Sequence, residues 1–256
     1  MNILALYFSG TGNTKYVVTQ FKKCLNTNFV MHSIEEEINF KDIDYDTILL
    51  AYPIYGSLIP KIMRNFLTDN GKYFSNKNLI TVVTQGAFSG DGGALARRQL
   101  NDKSIKHIAS AHINMPSNLE YGKISSVTPK AEVKQIIEKA NQKIELVCNK
   151  ITSGKAVRNG RGVFSRPSGF CQRVFFKPIE KKLVKTIKIE DTCIGCGKCV
   201  QNCPMKNLSL VENKAVASNN CTLCVRCVNM CPTKSIKIFT KDKVEKQYKC
   251  FLKQIE

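Results

Sequence analysis

The first 150 residues alternate between short apolar runs and longer segments with helical spacing. Apolar runs of strand length predict five strands, at residues 2–8, 28–34, 45–56, 78–86 and 106–116. Apolar residues three or four positions apart predict four helices, at residues 13–25, 59–71, 92–102 and 129–151. Strands that alternate with helices in this way indicate an α/β fold with a parallel, doubly wound sheet.

This pattern changes at residue 153. Residues 153–188 hold ten basic residues and one acidic residue, and the four phenylalanines that interrupt this polar stretch are Phe164, Phe170, Phe175 and Phe176. We interpret residues 153–186 as an interdomain segment whose aromatic side chains dock on a neighbouring domain. A basic amphipathic segment that touches a membrane or nucleic acid is the alternative.

Composition and charge indicate whether the chain spans a membrane, is exported or stays in the cytoplasm. Hydrophobic residues make up 43% of the 256 positions, and the formal net charge is +19. No apolar run approaches the roughly 18 residues of a membrane span. We interpret the opening residues, MNILALYF, as a first strand and not as a signal peptide, and we therefore expect a cytoplasmic protein.

The twelve cysteines are unevenly placed, and eight of them lie between Cys193 and Cys231. The stretch CIGCGKCVQNCP at 193–204 is repeated 28 residues later as CTLCVRCVNMCP at 221–232. Close, regular spacing in a chain without an export signal indicates metal thiolates and not disulfides. We expect the remaining cysteines to be ordinary buried or free thiols, namely Cys24, Cys148, Cys171 and Cys250.

Each repeat has the spacing C-x2-C-x2-C-x3-C-P, which suits a [4Fe–4S] cluster. Three cysteines two residues apart can bind three irons of one cluster, while the fourth lies beyond the loop and is aimed at the other cluster. The spacing therefore predicts two ligand sets, Cys193, Cys196 and Cys199 with Cys231, and Cys221, Cys224 and Cys227 with Cys203. Structural zinc is the alternative, although a zinc ribbon needs neither the third cysteine nor the proline.

With these motifs, residues 187–240 resemble a bacterial ferredoxin with two [4Fe–4S] clusters. The short strands that this fold requires around the loops are predicted at residues 186–189, 208–211 and 235–239. We expect Pro204 and Pro232 to begin helices just after the exchanged ligands.

The two cysteine loops differ at two positions. The first loop has Gly195 and Gly197 where the second has Leu223 and Val225. Hydrogen bonds to sulfur raise the potential of a cluster and apolar burial lowers it, so we expect the two clusters to differ in potential.

The loop FSGTGNTKYV at 8–17 lies between the first strand and the first helix, where open α/β sheets bind phosphate. It lacks the Walker pattern, and Lys15 replaces the third glycine of the dinucleotide fingerprint. Hydroxyl groups and backbone amides can instead surround a phosphate dianion without a cation. The residues predicted to do so are Ser9, Gly10, Thr11, Gly12, Asn13 and Thr14. A helix start with a simple N-cap is the alternative.

This loop resembles that of the flavodoxins, and the resemblance covers residues 1–152. It implies a flavodoxin-like, five-stranded parallel sheet of order 2-1-3-4-5 with bound FMN. In flavodoxins the loops after strands three and four hold the flavin ring, which implies contacts from Pro53, Ile54, Tyr55, Gly56, Gly86, Ala87 and Phe88. Tyr55 and Phe88 are the candidates to stack on the ring, and aromatics of the core or of turns are the alternative.

The whole chain resembles the flavodoxin–ferredoxin fusions of anaerobic microbes, also called EFR1-type ferredoxins. The parts this implies are a flavodoxin-like FMN-binding domain, a basic interdomain segment, a small α+β ferredoxin domain and a C-terminal tail, at 1–152, 153–186, 187–240 and 241–256. The implied function is transfer of single electrons between two [4Fe–4S] clusters and FMN, and on to other redox proteins. We identify no catalytic residue, and we expect His32, His107 and His112 to be packing or surface residues.

Two other functions stay open at this point. The protein could be an FMN-dependent reductase of a small substrate that the clusters supply with electrons. It could also be an iron–sulfur regulatory or nucleic-acid-binding module with an empty first domain. We favour the electron carrier over a substrate-specific oxidoreductase because the cofactors themselves supply the redox chemistry. The basic charge predicts redox partners with acidic surfaces, and we expect neither a membrane span nor a nucleic-acid partner.

Overall fold

A computed structural model describes residues 1–119, 126–239 and 244–249. The N-terminal unit is a parallel sheet of six strands in the order β2-β1-β3-β4-β5-β6. These strands are β1 (Ile3–Tyr7), β2 (Phe29–Ser33), β3 (Thr47–Pro53), β4 (Asn78–Gln85), β5 (Lys106–Asn114) and β6 (Val157–Arg158). The predicted order 2-1-3-4-5 is confirmed, whereas the predicted count of five strands is wrong because β6 pairs with the outer edge of β5.

Helices cover both faces of this sheet, and they are α1 (Asn13–Leu25), α2 (Lys61–Asn70), α3 (Gly92–Leu100) and α4 (Lys130–Thr152). Successive strand residues point to opposite faces, so Leu4 and Leu6 pack with α2 and α3 while Ile3 and Ala5 pack with α1 and α4. Burial on both faces explains why the strands are continuously apolar in sequence. All four predicted helices are present, and each predicted boundary lies within two residues of the observed one.

Residues 153–186 are more ordered than we predicted from the sequence. They contain β6 and a twenty-residue helix, α5 (Ser165–Val184). Of the four phenylalanines expected to dock, Phe176 packs against Gly56. The other three are exposed because they lie on the outer side of α5 or just before it.

The helix α5 lies across the loops that follow β3 and β4. Arg173 forms an ion pair with the fully buried Asp91, and Gln172 hydrogen-bonds to Ser57 Oγ. Gly169 approaches Gly90 and Asp91 so closely that a Cβ on this glycine would overlap Asp91. The helix is therefore fixed against the edge of the sheet where the carboxyl ends of the strands meet.

The C-terminal unit consists of two small antiparallel sheets and two short helices. β7 (Lys188–Ile189) pairs with β10 (Ile236–Lys237), and β8 (Leu208–Val211) pairs with β9 (Lys214–Ala217). The helices are α6 (Lys198–Gln201) and α7 (Arg226–Met230). The strands predicted at 186–189 and 235–239 are present in shorter form as β7 and β10, and the strand predicted at 208–211 has its full length as β8. The strand β9 was not predicted.

The prediction that helices begin at Pro204 and Pro232 is wrong. α6 and α7 precede the fourth cysteine of each repeat, and a turn follows the proline. In each copy this turn places a backbone N–H against the sulfur of the fourth cysteine. The N–H belongs to the residue four positions after that cysteine. Asn207 N donates to Cys203 Sγ at 3.2 Å, and Ser235 N donates to Cys231 Sγ at 3.3 Å.

Part of the predicted C-terminal tail packs on both units. Val244 and Tyr248 are buried, and the Tyr248 hydroxyl donates to Asn13 Oδ1 at 2.6 Å. The backbone N–H of Tyr248 donates to Asn229 Oδ1, also at 2.6 Å. Cys250 lies outside the described residues. Within the described part of the chain, no helix is both long and apolar enough to cross a bilayer.

Candidate functional site: a cavity between the two units

The loop after β1 is held by the side chain of Ser9. Its Oγ accepts hydrogen bonds from Gly12 N at 3.1 Å and Lys15 N at 3.2 Å. Gly12 caps α1 with a φ of 102°, a conformation that favours glycine. The hydroxyl of Ser9 acts only as an acceptor in these two bonds, so its hydrogen stays available to a ligand.

A cavity of about 260 Å³, here called the interdomain cavity, opens beside this loop. Ten of the thirteen residues predicted to contact the cofactor line it, namely Ser9, Gly10, Thr11, Asn13, Thr14, Pro53, Ile54, Tyr55, Gly56 and Gly86. Gly12, Ala87 and Phe88 are not among its lining residues. Phe88 is more than half exposed, and its stacking role stays a prediction.

Sequence reasoning missed the part of the cavity that the loop after β5 supplies. Its residues there are Met115, Pro116, Ser117, Asn118 and Leu119. Asn118 Nδ2 donates to Thr11 Oγ1 at 2.6 Å, and Asn13 Nδ2 donates to the Pro116 carbonyl at 2.8 Å. The carboxyl ends of neighbouring parallel strands meet at one edge, and this rule could have included the loop after the fifth strand.

A further part of the wall comes from α5 and the C-terminal unit, beside Thr84 and Gln85 of β4. Its residues are Phe176, Leu183, Leu223, Val225 and Phe239. Hydroxyl and backbone groups of the loop after β1 and apolar side chains of α5 and the C-terminal unit thus line the same cavity. This combination fits FMN, which has a phosphate at one end and a flat, largely apolar ring at the other.

Two small cavities in the C-terminal unit are each lined by four cysteines. Cys193, Cys196, Cys199 and Cys231 line the first, and Cys203, Cys221, Cys224 and Cys227 line the second. Each cavity therefore receives three cysteines from one repeat and the fourth from the other repeat. Eight thiols arranged in this way fit two multi-iron clusters.

The second cysteine loop (221–227) lies directly against the loop after β1. A Cβ added to Gly10 would be 2.6 Å from the carbonyl oxygen of Cys224 and 3.0 Å from its Cβ. On the other side, burial and the nearby thiolates of Cys224 and Cys221 raise the pKa of Tyr55 well above its usual value. Gly10 therefore contacts Cys224, and Tyr55 lies near enough to Cys224 and Cys221 for their charges to affect its pKa.

Arg226 connects the two loops through hydrogen bonds. Its guanidinium donates to the carbonyl oxygens of Gly10 at 3.0 Å and Ser9 at 2.8 Å, and to both carboxylate oxygens of Glu35. Burial opposes the charge of Arg226, but Glu35 outweighs this effect and raises the pKa of the guanidinium. The corresponding position of the first repeat is Lys198, which is exposed.

The three histidines and three of the remaining cysteines, Cys24, Cys148 and Cys171, lie outside these cavities. His107 bonds to Thr81 Oγ1 and His112 to Ser89 Oγ, and burial lowers the pKa of both imidazoles to about 4, so they are neutral packing residues. Burial also raises the pKa of the Cys148 thiol, which lies beside Cys24. Cys171 is exposed on α5.

Two family models match separate parts of the sequence. One, described as a flavodoxin domain, matches residues 4–145, more than half of the chain. The chain belongs to the flavodoxin domain family. The other, described as a 4Fe-4S dicluster domain, matches residues 192–235, so a ferredoxin-like domain is fused to the flavodoxin domain.

Solved flavodoxins are similar to the N-terminal part of the chain. Flavodoxin 2 of Bacillus cereus is 16% identical, covers 60% of this chain and 99% of its own, and has a TM-score of 0.44. The flavodoxin of Megasphaera elsdenii is 22% identical, covers 55% and 98%, and has a TM-score of 0.39. The flavodoxin of Fusobacterium nucleatum, solved with flavin mononucleotide, is 14% identical, covers 60% and 98%, and has a TM-score of 0.41. The search of curated proteins found no match.

The two matched domains identify the cofactors. A flavodoxin domain uses FMN, and a dicluster domain uses [4Fe–4S] clusters, so the alternative of structural zinc is not supported. The chain is an electron-transfer protein with flavin and iron–sulfur cofactors.

Proposed function

We propose that the protein passes single electrons between two [4Fe–4S] clusters and FMN, and on to partner proteins. When bound, FMN exchanges one or two electrons and each cluster exchanges one, so the fusion joins carriers of different capacity. The proposal rests chiefly on the contact between Cys224 and Gly10, which brings a cysteine of the second cavity against the loop after β1.

The ligand sets that we assign follow the two cysteine-lined cavities. Cys193, Cys196, Cys199 and Cys231 would hold the first cluster, and Cys203, Cys221, Cys224 and Cys227 the second. The second cluster would then be next to the flavin. The first would lie near the surface, because Cys196 and Ile194 are exposed. Partner proteins would therefore exchange electrons at the first cluster.

For FMN, we assign the phosphate to the loop after β1 and the ring to the apolar part of the interdomain cavity. Ser9 and Thr11 would donate hydroxyl hydrogens to the phosphate. Tyr55 lines this cavity together with Gly56, Leu223 and Val225, and we assign these residues to the ring region. Phe176, which packs on Gly56, would exclude water from this region.

We favour a carrier over a reductase because the cofactors themselves supply the redox chemistry. The net charge of +19 leads us to expect partner proteins with acidic surfaces. We also place the protein in the cytoplasm. Membership of the EFR1-type group stays a prediction.

Anaerobic purification with cofactor analysis tests this proposal. We expect about eight irons, about eight sulfides and about one FMN per chain. Photoreduction should reduce both cofactor types, and oxidation by an acidic redox protein should reoxidise both. Stoichiometric zinc, or a chain without flavin, would contradict the proposal. Rapid turnover of a small substrate at the flavin would favour the reductase.

A further inference from the structure

We propose that the outer face of α5 docks the protein on an anionic membrane surface. The outer face is the exposed side of the helix together with the two residues that precede it. Its apolar side chains are Val163, Phe164, Phe170, Val174 and Phe175, and its cations are Arg166, Lys177, Lys181, Lys182 and Lys185. Neither of the two family domains includes this helix, which occupies residues between their matched ranges.

The orientation of α5 keeps these apolar side chains in water. The opposite side of the helix is fixed by Gly169 against Gly90, by Arg173 on Asp91, and by an ion pair between Glu180 and Arg64. The helix cannot rotate to bury its outer face without breaking these contacts. Phe164 is therefore 86% exposed, Phe170 63% and Phe175 68%. Adjacent exposed aromatics of this size mark an interaction surface.

The charge of the outer face determines what can cover it. Residues 153–188 contain a single acidic side chain, Glu180, and its ion pair with Arg64 places it on the packed side. Among residues 163–185, which the structure describes in full, the outer face thus presents cations and no carboxylate. Lysines near a membrane surface are attracted by anionic headgroups, and their long stems let them stay at headgroup level.

The shape of the outer face favours a membrane over a folded protein. The phenylalanines project from a convex helix, and a protein partner would need several matching hollows to accept them. A fluid bilayer interface accepts projecting aromatic side chains without a preformed pocket. The apolar residues occupy positions 163–175 and the lysines positions 177–185, so one end of the helix can insert while the other contacts headgroups.

Vesicle flotation of the full-length holoprotein tests the proposal. We expect binding to vesicles of phosphatidylcholine with phosphatidylglycerol, and little binding to phosphatidylcholine alone. The double variant F170S/F175S keeps the charge and should weaken binding at least about tenfold. Leu146→Ser, at a 54% exposed position of α4, is the matched control and should bind like the unmodified protein. Iron and flavin contents confirm that each variant is folded.

A second pair of variants separates the outer face from the general basic charge. K177Q/K181Q and K139Q/K150Q each remove two exposed lysines, the first pair from the outer face and the second from α4. Only the first pair should weaken binding. The chain has no tryptophan, so Phe175→Trp gives a selective reporter whose emission should shift to the blue on anionic vesicles. Leu146→Trp should show no shift.

Three results would overturn the proposal. Equal binding by F170S/F175S and the unmodified protein would mean that basic charge alone adsorbs the chain. Dimers that F170S/F175S converts to monomers, without vesicle binding, would identify a second copy of the chain as the occupant. Absence of vesicle binding, with binding to an acidic redox protein that F170S/F175S abolishes, would identify a protein partner.

Discussion

Leu223 and Val225 have left-handed backbone conformations, with φ of 60° and 52°. Gly195 and Gly197 have nearly the same φ at the corresponding places of the first loop. A left-handed conformation costs a residue with a Cβ about 1–2 kcal/mol, and more for a β-branched one. The second loop tolerates this strain while its side chains form part of the wall of the interdomain cavity. The two residues therefore shape the interdomain cavity from within the second cysteine loop.

The contact between Gly10 and Cys224 can be tested by adding a single methyl group to Gly10. In Gly10→Ala the new Cβ would overlap the backbone and Cβ of Cys224, which cannot move without displacing the second cysteine loop. Overpacking of this kind costs about 1–3 kcal/mol, so we expect the dissociation constant of FMN to rise about tenfold or more. Fluorescence titration of flavin-free protein measures this constant.

Gly71→Ala is the matched control for this variant. Gly71 lies outside the cavity, and a Cβ there would meet only the side chain of Leu100, at an ordinary contact distance of 3.5 Å. Its FMN affinity should stay within about twofold of the unmodified protein. If both alanine variants lost affinity equally, the contact with Cys224 would not be the cause.

Arg226 should be needed for electron exchange between flavin and clusters. In Arg226→Ala the carbonyls of Ser9 and Gly10 lose their donors, and Glu35 loses its half-buried partner. Loss of such a partner costs on the order of 2–3 kcal/mol, which should loosen the contact between the two loops. We expect slower flavin reduction after flash reduction of the clusters, followed by flavin absorbance. Lys198→Ala, at the equivalent exposed position of the first repeat, should leave that rate unchanged.

At the scale of elements, α5 shows which structure the sequence could and could not predict. The helices α1 to α4 were predictable because each buries a regular apolar stripe on a sheet of its own domain. α5 instead packs through Gly169, Arg173 and Glu180, and its phenylalanines mostly face outward. No apolar periodicity marks such a helix, so we interpreted its residues as a linking segment. The strand β6 was not predicted for a similar reason, because its two paired residues are too few to show a hydrophobic pattern.

The attachment of α5 depends on Asp91, and Asp91→Asn tests it. Burial opposes ionisation of this carboxyl, but hydrogen bonds from Arg173 and Arg98 outweigh burial and hold its pKa below the usual range. Removal of the charge leaves Arg173 without its partner. We expect amide hydrogen exchange in α5 to accelerate about tenfold to a hundredfold, which corresponds to roughly 1.4–2.8 kcal/mol.

The direction of this pKa shift sets the pH dependence. A lowered pKa means that the ion pairs stabilise the protein at any pH above the unfolded value of about 3.9, and that this contribution disappears as the pH falls through the folded value. The effect of Asp91→Asn should therefore be equal at pH 6 and pH 8. Asp191→Asn removes a fully exposed partner of Lys214 and should not change exchange in α5. A strong pH dependence between 6 and 8 would point to another group.

At the scale of the whole molecule, local motifs predicted both sites but not their contact. The cysteine spacing gave the two sets that the cavities bring together, and the loop at 8–17 gave the polar end of the interdomain cavity. The contact between Gly10 and Cys224 joins residues more than 200 positions apart. Neither motif carries information about the other, so the sequence could not place the second cluster beside the flavin.

We expect this arrangement to make the two clusters unequal in function, and one alanine variant of each fourth ligand tests the difference. Cys203→Ala should remove the cluster beside the flavin, and Cys231→Ala should remove the one near the surface. Each variant should lose about four irons. After flash reduction by a small photoreductant, Cys231→Ala should retain the slow phase of flavin reduction that follows cluster reduction. Cys203→Ala should lose that phase, because the remaining cluster has no contact with the loop after β1.

Two features make this comparison decisive. Direct reduction of the flavin by the photoreductant contributes a fast phase to both variants, so only the slow phase reports on the route. Electron paramagnetic resonance of the remaining cluster shows whether the ferredoxin domain is still folded. If Cys203→Ala kept the slow phase and Cys231→Ala lost it, the first cluster would be the one that supplies the flavin. The contact between Gly10 and Cys224 would then be structural, and electrons would have to pass through a part of the interface other than the second cysteine loop.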